Sequence, residues 1–144
     1  MIDDSSFQWS SVNFFELKQA FSNHRSWQEK YKYLMQLSKQ SPNFDMAWKQ
    51  EAAKIEGCDS QAWLHHRMID DKHYFLAHSE ARIIQGFMCV ILSLVQGQST
   101  SVILELDLAQ HLSELGLMSQ LSPSRTNGLM SMIQQIQRQV QDSE

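Results

Sequence analysis

Apolar positions recur at helical spacing along most of the chain, and that period gives way once to a strand-like one. Phe14, Leu17 and Phe21 fall at i, i+3 and i+7 and predict a short amphipathic helix over 12–21. Ser26-Trp27-Gln28-Glu29 reads as a capping box, in which a serine and a glutamate three residues on satisfy each other's backbone N–H groups. The helix it opens carries Trp27, Tyr31, Leu34 and Leu37 on one stripe and stops before Pro42. The stretch 41–55 is ambiguous; Asp45 is placed to cap a short helix bearing Ala47, Trp48, Ala52 and Ala53.

Beyond residue 60 the period shortens. Residues 61–69 and 72–77 read as two strands, with Asp70-Asp71 as the two-residue turn between them. A third strand is expected over 53–56. Ser79 is then expected to cap a long helix over 80–96, whose wide apolar face (Ile83, Ile84, Phe87, Met88, Ile91, Leu94 and Val95) ends at Gly97. A short helix follows over 99–106. Asp107 caps another over 108–115, stopped by Gly116. Ser122-Pro123, a cap followed by proline in the first turn, opens a last helix with Leu129, Ile133, Ile136 and Val140 inward. Helices, a small antiparallel sheet and helices again make an α+β fold in two layers, a small sheet packed by helices. Residues 1–144 read as a single domain, with 1–10 as a loose N-terminal tail.

Composition narrows the functional classes. The chain has 144 residues, 42% hydrophobic and 19% charged, enough to bury a core without disulfide or metal. A net charge of -4, with 12 Lys+Arg against 16 Asp+Glu and no dense basic patch, argues against nucleic acid as a partner. The acidic, polar start lacks the basic and apolar regions of a signal peptide. The longest apolar run, 87–95, falls well short of the ~20 residues that span a bilayer. The expectation is a cytoplasmic protein without membrane association, its thiols reduced and its two cysteines unbridged.

Those two cysteines differ in setting. Cys89 lies inside Phe87-Met88-Cys89-Val90-Ile91-Leu92 and reads as a small core hydrophobe. Cys58 follows Gly57 and precedes Asp59-Ser60, a turn-forming context directly before a strand. A thiol on a loop is accessible in a way that a helix-core thiol is not, and access is half of thiol reactivity. Asp59 and Glu56 would oppose its ionisation, and Lys54 or Arg125 would favour it. Of the six histidines, His65 and His66 are neighbours on a strand and point to opposite faces, so they cannot chelate together. No paired Cys/His spacing marks a metal site, and no glycine-rich loop marks a nucleotide site.

Four blocks, in order and spanning most of the chain from about Phe14 to the last helix, carry a resemblance. Trp27-Gln28-Glu29-Lys30-Tyr31 is similar to W-x-x-K/R-Y, and Gly57-Cys58-Asp59-Ser60-Gln61-Ala62-Trp63 to G-C-x-S-x-V-W. Leu115-Gly116-Leu117 and Leu121-Ser122-Pro123-Ser124-Arg125-Thr126-Asn127-Gly128-Leu129 are similar to L-G-L and L-S-P-S-R-x-x-G-L. Together they resemble the SufE/CsdE family of sulfur-acceptor proteins. Two places depart from it: Ala77-His78-Ser79-Glu80 stands where the family has G-D-S-D/E, and Leu37-Ser38-Lys39-Gln40-Ser41-Pro42 where it has L-G-K-x-L-P.

The resemblance implies the fold of the NifU/IscU-type scaffolds, with the active cysteine on a loop at one end of the sheet. It implies that Cys58 takes persulfide sulfur from a cysteine desulfurase of the SufS or CsdA type, stimulates that enzyme, and passes the sulfur to an iron–sulfur scaffold or another acceptor. The chain would be a covalent carrier without independent turnover. It would hold no cofactor, the pyridoxal phosphate being the desulfurase's, and no metal. Gly57, Ser60, Gln61 and Arg125 are the candidate supporting residues. Arg125 in a first helical turn opposes the helix dipole; it has either a carboxylate partner or a role at the loop or the desulfurase interface. A monomer or weak dimer is expected. The competing readings are an adaptor with an incidental cysteine, and a cysteine hydrolase or peroxidase, for which no residue is placed as base.

Overall fold

The computed structural model describes residues 2–57 and 60–143. Seven α-helices, three short 3-10 turns and one two-stranded antiparallel sheet make up the described elements: α1 (Asp4–Phe7), α2 (Phe14–Asn23), α3 (Trp27–Leu37), β1 (Ala62–Ile69), β2 (Lys72–Ser79), α4 (Arg82–Val95), α5 (Thr100–Glu105), α6 (Leu108–Glu114) and α7 (Pro123–Asp142), with the 3-10 turns between α3 and β1. This is an α+β fold, as the alternation of periods predicts.

The capping chemistry written in the sequence sets most helix starts. Ser26 and Glu29 form the full reciprocal capping box of α3. Asn13 accepts from Phe15 and Glu16 at the start of α2, Asp107 from Gln110 at α6, and Ser122 from Arg125 at α7. Asp45 also caps as expected, but it opens only a 3-10 turn over Met46–Trp48, followed by another over Glu51–Ala53. Ser79 does not cap α4. It is the last residue of β2, the N-cap position is Ala81, and the Ser79 hydroxyl accepts instead from the Ala81 N–H.

The hairpin turns at Asp70 and Asp71 with φ of 52° and 64°. Successive left-handed residues are the two-residue turn that matches strand twist, and aspartate tolerates that region better than most side chains. In the resulting register Ala62 faces Ser79 and Ile69 faces Lys72. The third strand expected over 53–56 shrinks to a single bridge, Lys54 to Trp63, because Glu51–Ala53 is coiled into a 3-10 turn that uses those backbone groups locally.

Alternation divides the sheet into two apolar faces. Ala62, Leu64, Phe75 and Ala77 join the main core with α4 at its centre. Helix α4 is buried on nearly every side, through Ile83, Phe87, Met88, Val90, Ile91 and Val95. At about 1.5–3 kcal/mol for each fully buried large apolar side chain, it is the main stabilising element. Helix α3 crosses it so closely that Gly86 packs on the Leu34 backbone.

The opposite face corrects the two-layer expectation. Leu76, Ile69 and Tyr74 are covered by Ile2, Phe7, Trp9, Phe44 and Trp48. Residues 2–10 are therefore no loose tail. Phe7 is 2% exposed, the Ile2 carbonyl accepts from Arg67 at 2.6 Å, and the Arg67 guanidinium lies 4.5 Å from the centre of the Phe7 ring. Trp48 is half-buried for the same reason: it closes this second cluster.

Among the described residues no further strand pairs with β2 beyond the single His73–Gln98 bridge, and Gln85 of α4 and Gln96, its C-cap, supply side chains in place of one. Gln96 accepts from the Phe75 N–H at 2.8 Å and donates to the carbonyls of Phe7 (2.7 Å) and Trp9 (2.9 Å). Gln85 accepts from the Ser79 N–H at 2.7 Å and donates to Ser41 and to the Ala77 carbonyl. Trp9 donates its indole N–H to the Phe75 carbonyl at 2.7 Å. These two glutamines are buried because an unpaired strand edge inside the protein would cost more than their desolvation.

Candidate functional site

The loop that carries Cys58 leaves the core at Ile55 and re-enters it at Ala62, both buried. The Ile55 N–H donates to the Ala62 carbonyl at 2.8 Å and closes the loop's base. Glu56 and Gly57 are exposed, and Gly57 has φ +81°, a conformation that a side chain makes strained. On the return side the Glu80 N–H donates to the Gln61 carbonyl at 2.9 Å. Ser60 is half-buried and the Gln61 side chain exposed. Cys58 and Asp59 lie outside the described residues.

Helix α7 forms one wall of this stem. The Ser131 hydroxyl donates to the Glu56 carbonyl at 2.6 Å. No sequence reading pointed to Ser131, which is 75 residues from Glu56; it lies one turn beyond Gly128 on the helix face that continues with Gln134, Gln135 and Arg138, where nothing local marks it. Arg125, on the first turn of α7, is exposed. It has no ion pair with any carboxylate among the described residues. Its backbone N–H serves the Ser122 cap at 3.3 Å.

On the other side of the stem lie the ends of both strands. Trp63 is 5% exposed, stacks on His78 with ring centres 6.2 Å apart, and receives Lys49 over its ring at 5.2 Å. Lys49 also pairs with Glu80 at 3.1 Å. His78 stands where the resembled pattern has an aspartate, and it is held in an aromatic stack with Phe44, 5.3 Å away. Burial, and next the Lys49 cation, push its pKa below the ordinary value against an opposing pull from Glu80. His78 therefore adds an aromatic, uncharged ring near the start of the loop's return strand, where an aspartate would add a charge.

Cys89 takes the structural role its helical setting predicts. It is 5% exposed, donates to the Leu37 carbonyl at 3.3 Å and contacts the Ser41 hydroxyl at 2.9 Å. Burial pushes its pKa up, with Ser41 opposing, so the thiolate is scarce. The histidines are committed elsewhere. His65 pairs with the Trp48 carbonyl at 2.6 Å, on the face opposite His66. His66 bonds to the fully buried His73 at 2.7 Å, and His73 to Thr100 at 2.7 Å. Among the described residues no group of three or more His, Cys, Asp or Glu side chains is arranged to hold a metal. No helix among them is long and apolar enough to cross a membrane.

Two of the motif blocks meet in space. Lys30 donates to the Leu115 carbonyl at 3.1 Å, where a cation meets the negative end of α6. Gly116 turns beneath it with φ +73°, and a Cβ there would lie 3.1 Å from the Lys30 ammonium.

The SufE profile, described as an Fe-S metabolism associated domain, matches residues 15–140. The sulfur acceptor protein CsdE of Escherichia coli strain K12 is 33% identical over 121 residues, 83% of this chain and 82% of CsdE. A SufE-like protein of Rhizobium meliloti is 30% identical over 119 residues, 80% of this chain and 85% of that protein. The solution structure of a hypothetical protein from Thermus thermophilus superposes with a TM-score of 0.72 at 18% identity, covering 90% of this chain and 93% of that one; it establishes the fold.

Proposed function

The chain belongs to the SufE family, and from that premise we propose that Cys58 accepts sulfane sulfur from a persulfide on a cysteine desulfurase and carries it to an iron–sulfur scaffold or another sulfur acceptor. The observation that carries the reading is the contrast between the two cysteines. One is sealed in the core with its ionisation suppressed, and the other follows a left-handed glycine on a loop whose base is pinned. The Escherichia coli relative named a sulfur acceptor supports it.

The step is a transpersulfidation. The Cys58 thiolate attacks the outer sulfur of the donor persulfide, a new S–S bond forms, and the donor's inner sulfur leaves as thiolate. The persulfide's oxidation level passes unchanged from one cysteine to the other, so no external oxidant enters. Exchange of this kind is fastest for a thiol whose pKa is near ambient pH. The chain needs no cofactor of its own in this reading, because carbon–sulfur cleavage belongs to the desulfurase and its pyridoxal phosphate. Gly57, Ser60, Gln61 and Arg125 would then shape the loop and its approach to the enzyme.

Desulfurase turnover of L-cysteine, measured with added wild type, Cys58→Ser or Cys89→Ser, tests the proposal. Stimulation by wild type and Cys89→Ser, and its loss in Cys58→Ser while binding persists, is expected. Equal stimulation by Cys58→Ser would favour the adaptor reading.

A further inference from the structure

We infer that Ser131 is a positioning residue for the Cys58 loop, acting through the Glu56 carbonyl; the inference rests on the sulfur-carrier reading. Among the described residues, three hydrogen bonds hold the loop's stem at Ile55, Glu56 and Gln61. Two are main chain to main chain, Ile55 to Ala62 and Glu80 to Gln61, and are set by the fold itself. The third is the Ser131 hydroxyl on the Glu56 carbonyl at 2.6 Å, the one side-chain anchor on this stem among the described residues. The Cβ and Oγ of Ser131 also lie 4.0 Å from where a Cβ on Gly57 would stand, so helix and loop are in contact at the turn.

The position of the bond gives it leverage. Holding the Glu56 carbonyl fixes the plane of the peptide that joins Glu56 to Gly57. The left-handed turn at Gly57 starts from that plane, and the next residue is Cys58. A rotation of the plane swings the point from which the cysteine is presented. Sulfur transfer needs the attacking sulfur aligned with the donor S–S bond, so a spread of presentations lowers the rate without weakening the surface that docks. A serine inside a helix ordinarily faces solvent or bonds back to the carbonyl four residues earlier. Ser131 instead directs its hydroxyl across to the loop. Alanine suits a helix better than serine, so α7 itself has no need of that hydroxyl.

The test uses the full chain with a cysteine desulfurase and L-cysteine, following the initial rate of persulfide formation on Cys58 as desulfurase concentration is raised. In Ser131→Ala the maximal rate is expected to fall about fivefold, the rate equivalent of one ordinary hydrogen bond. The half-saturating desulfurase concentration and the thermal midpoint stay at wild-type values. Ser131→Thr, which keeps the hydroxyl, restores the rate. An unchanged maximal rate, a loss confined to half-saturation, a loss that threonine does not repair, or a general loss of stability each overturns the inference and leaves the carrier reading standing. Wild type that takes up no sulfur on Cys58 overturns the carrier reading, and this inference falls with it.

Discussion

A single methyl added at Gly86 is expected to destabilise the protein although it improves the helix that receives it. A Cβ there would lie 2.3 Å from the Leu34 carbonyl oxygen and 2.8 Å from the carbonyl carbon. Carbon–oxygen contacts settle at about 3.3–3.6 Å, so α3 and α4 must separate by about 1 Å. Neither atom can rotate aside, because both belong to the main chain. The separation also pulls Leu34 and Leu37 away from Phe87 and Met88, all of them 1% exposed or less. Overpacking of this kind costs about 1–3 kcal/mol, and the rigid contact places Gly86→Ala near the upper end. Replacing glycine by alanine inside a helix returns about 0.5–1 kcal/mol. The balance is a loss of about 2 kcal/mol, a fall of about 6–8 °C in Tm at this chain length. Thermal unfolding followed by circular dichroism, with urea midpoints as a second probe, measures it. A Tm equal to or above wild type, the sign that helix propensity alone would give, refutes the close-packing argument.

Gln96→Leu keeps the volume of a buried side chain but leaves the Phe75 N–H and the carbonyls of Phe7 and Trp9 without their partner. A loss of about 2–4 kcal/mol is expected, with amide exchange in residues 2–10 accelerating first; unchanged protection there would contradict the role given to Gln96. His66 is held neutral, its pKa lowered to about 4 by burial and then by His73. With the folded value below the unfolded one of about 6.5, its contribution is fully present above that value and is lost as pH falls from about 6.5 through 4. Discounted for its partial exposure, the contribution is about 1–2 kcal/mol. Wild type should lose stability relative to His66→Gln over that interval, and parallel curves would show that His66 is not responsible.

The helical and hairpin skeleton was legible because its signals are local. Ser26 and Glu29 are three residues apart, Asp107 and Ser122 sit directly before the helices they cap, and Asp70-Asp71 forms the turn by itself. What escaped depends on distant partners. Ile2, Phe7 and Trp9 are too few to show a period, and only the outer face of the hairpin gives them a place to bury. Gln85 and Gln96 gain their role only from the outer edge of β2, whose Ser79 and Phe75 N–H groups they accept from. Ser79 reads as a helix cap but is a strand end, because strand length is fixed by the partner strand and not by its own side chain. At the site, Gly57 and Cys58 were marked by the turn-forming residues around them. Ser131 was not, because its one informative contact joins segments 75 residues apart. Among the described residues Arg125 is exposed and has no carboxylate partner, and neither fact can be read from its place in the first turn of a helix.

The central claim is that Cys58 carries sulfur, and intact mass tests it most directly. The protein is incubated with a cysteine desulfurase and L-cysteine and weighed with and without reductant, as wild type, Cys58→Ser and Cys89→Ser. The account predicts a gain of one sulfur atom on wild type and Cys89→Ser that reductant removes, and no gain on Cys58→Ser. No gain on wild type with any desulfurase, or a gain that survives in Cys58→Ser, would contradict it.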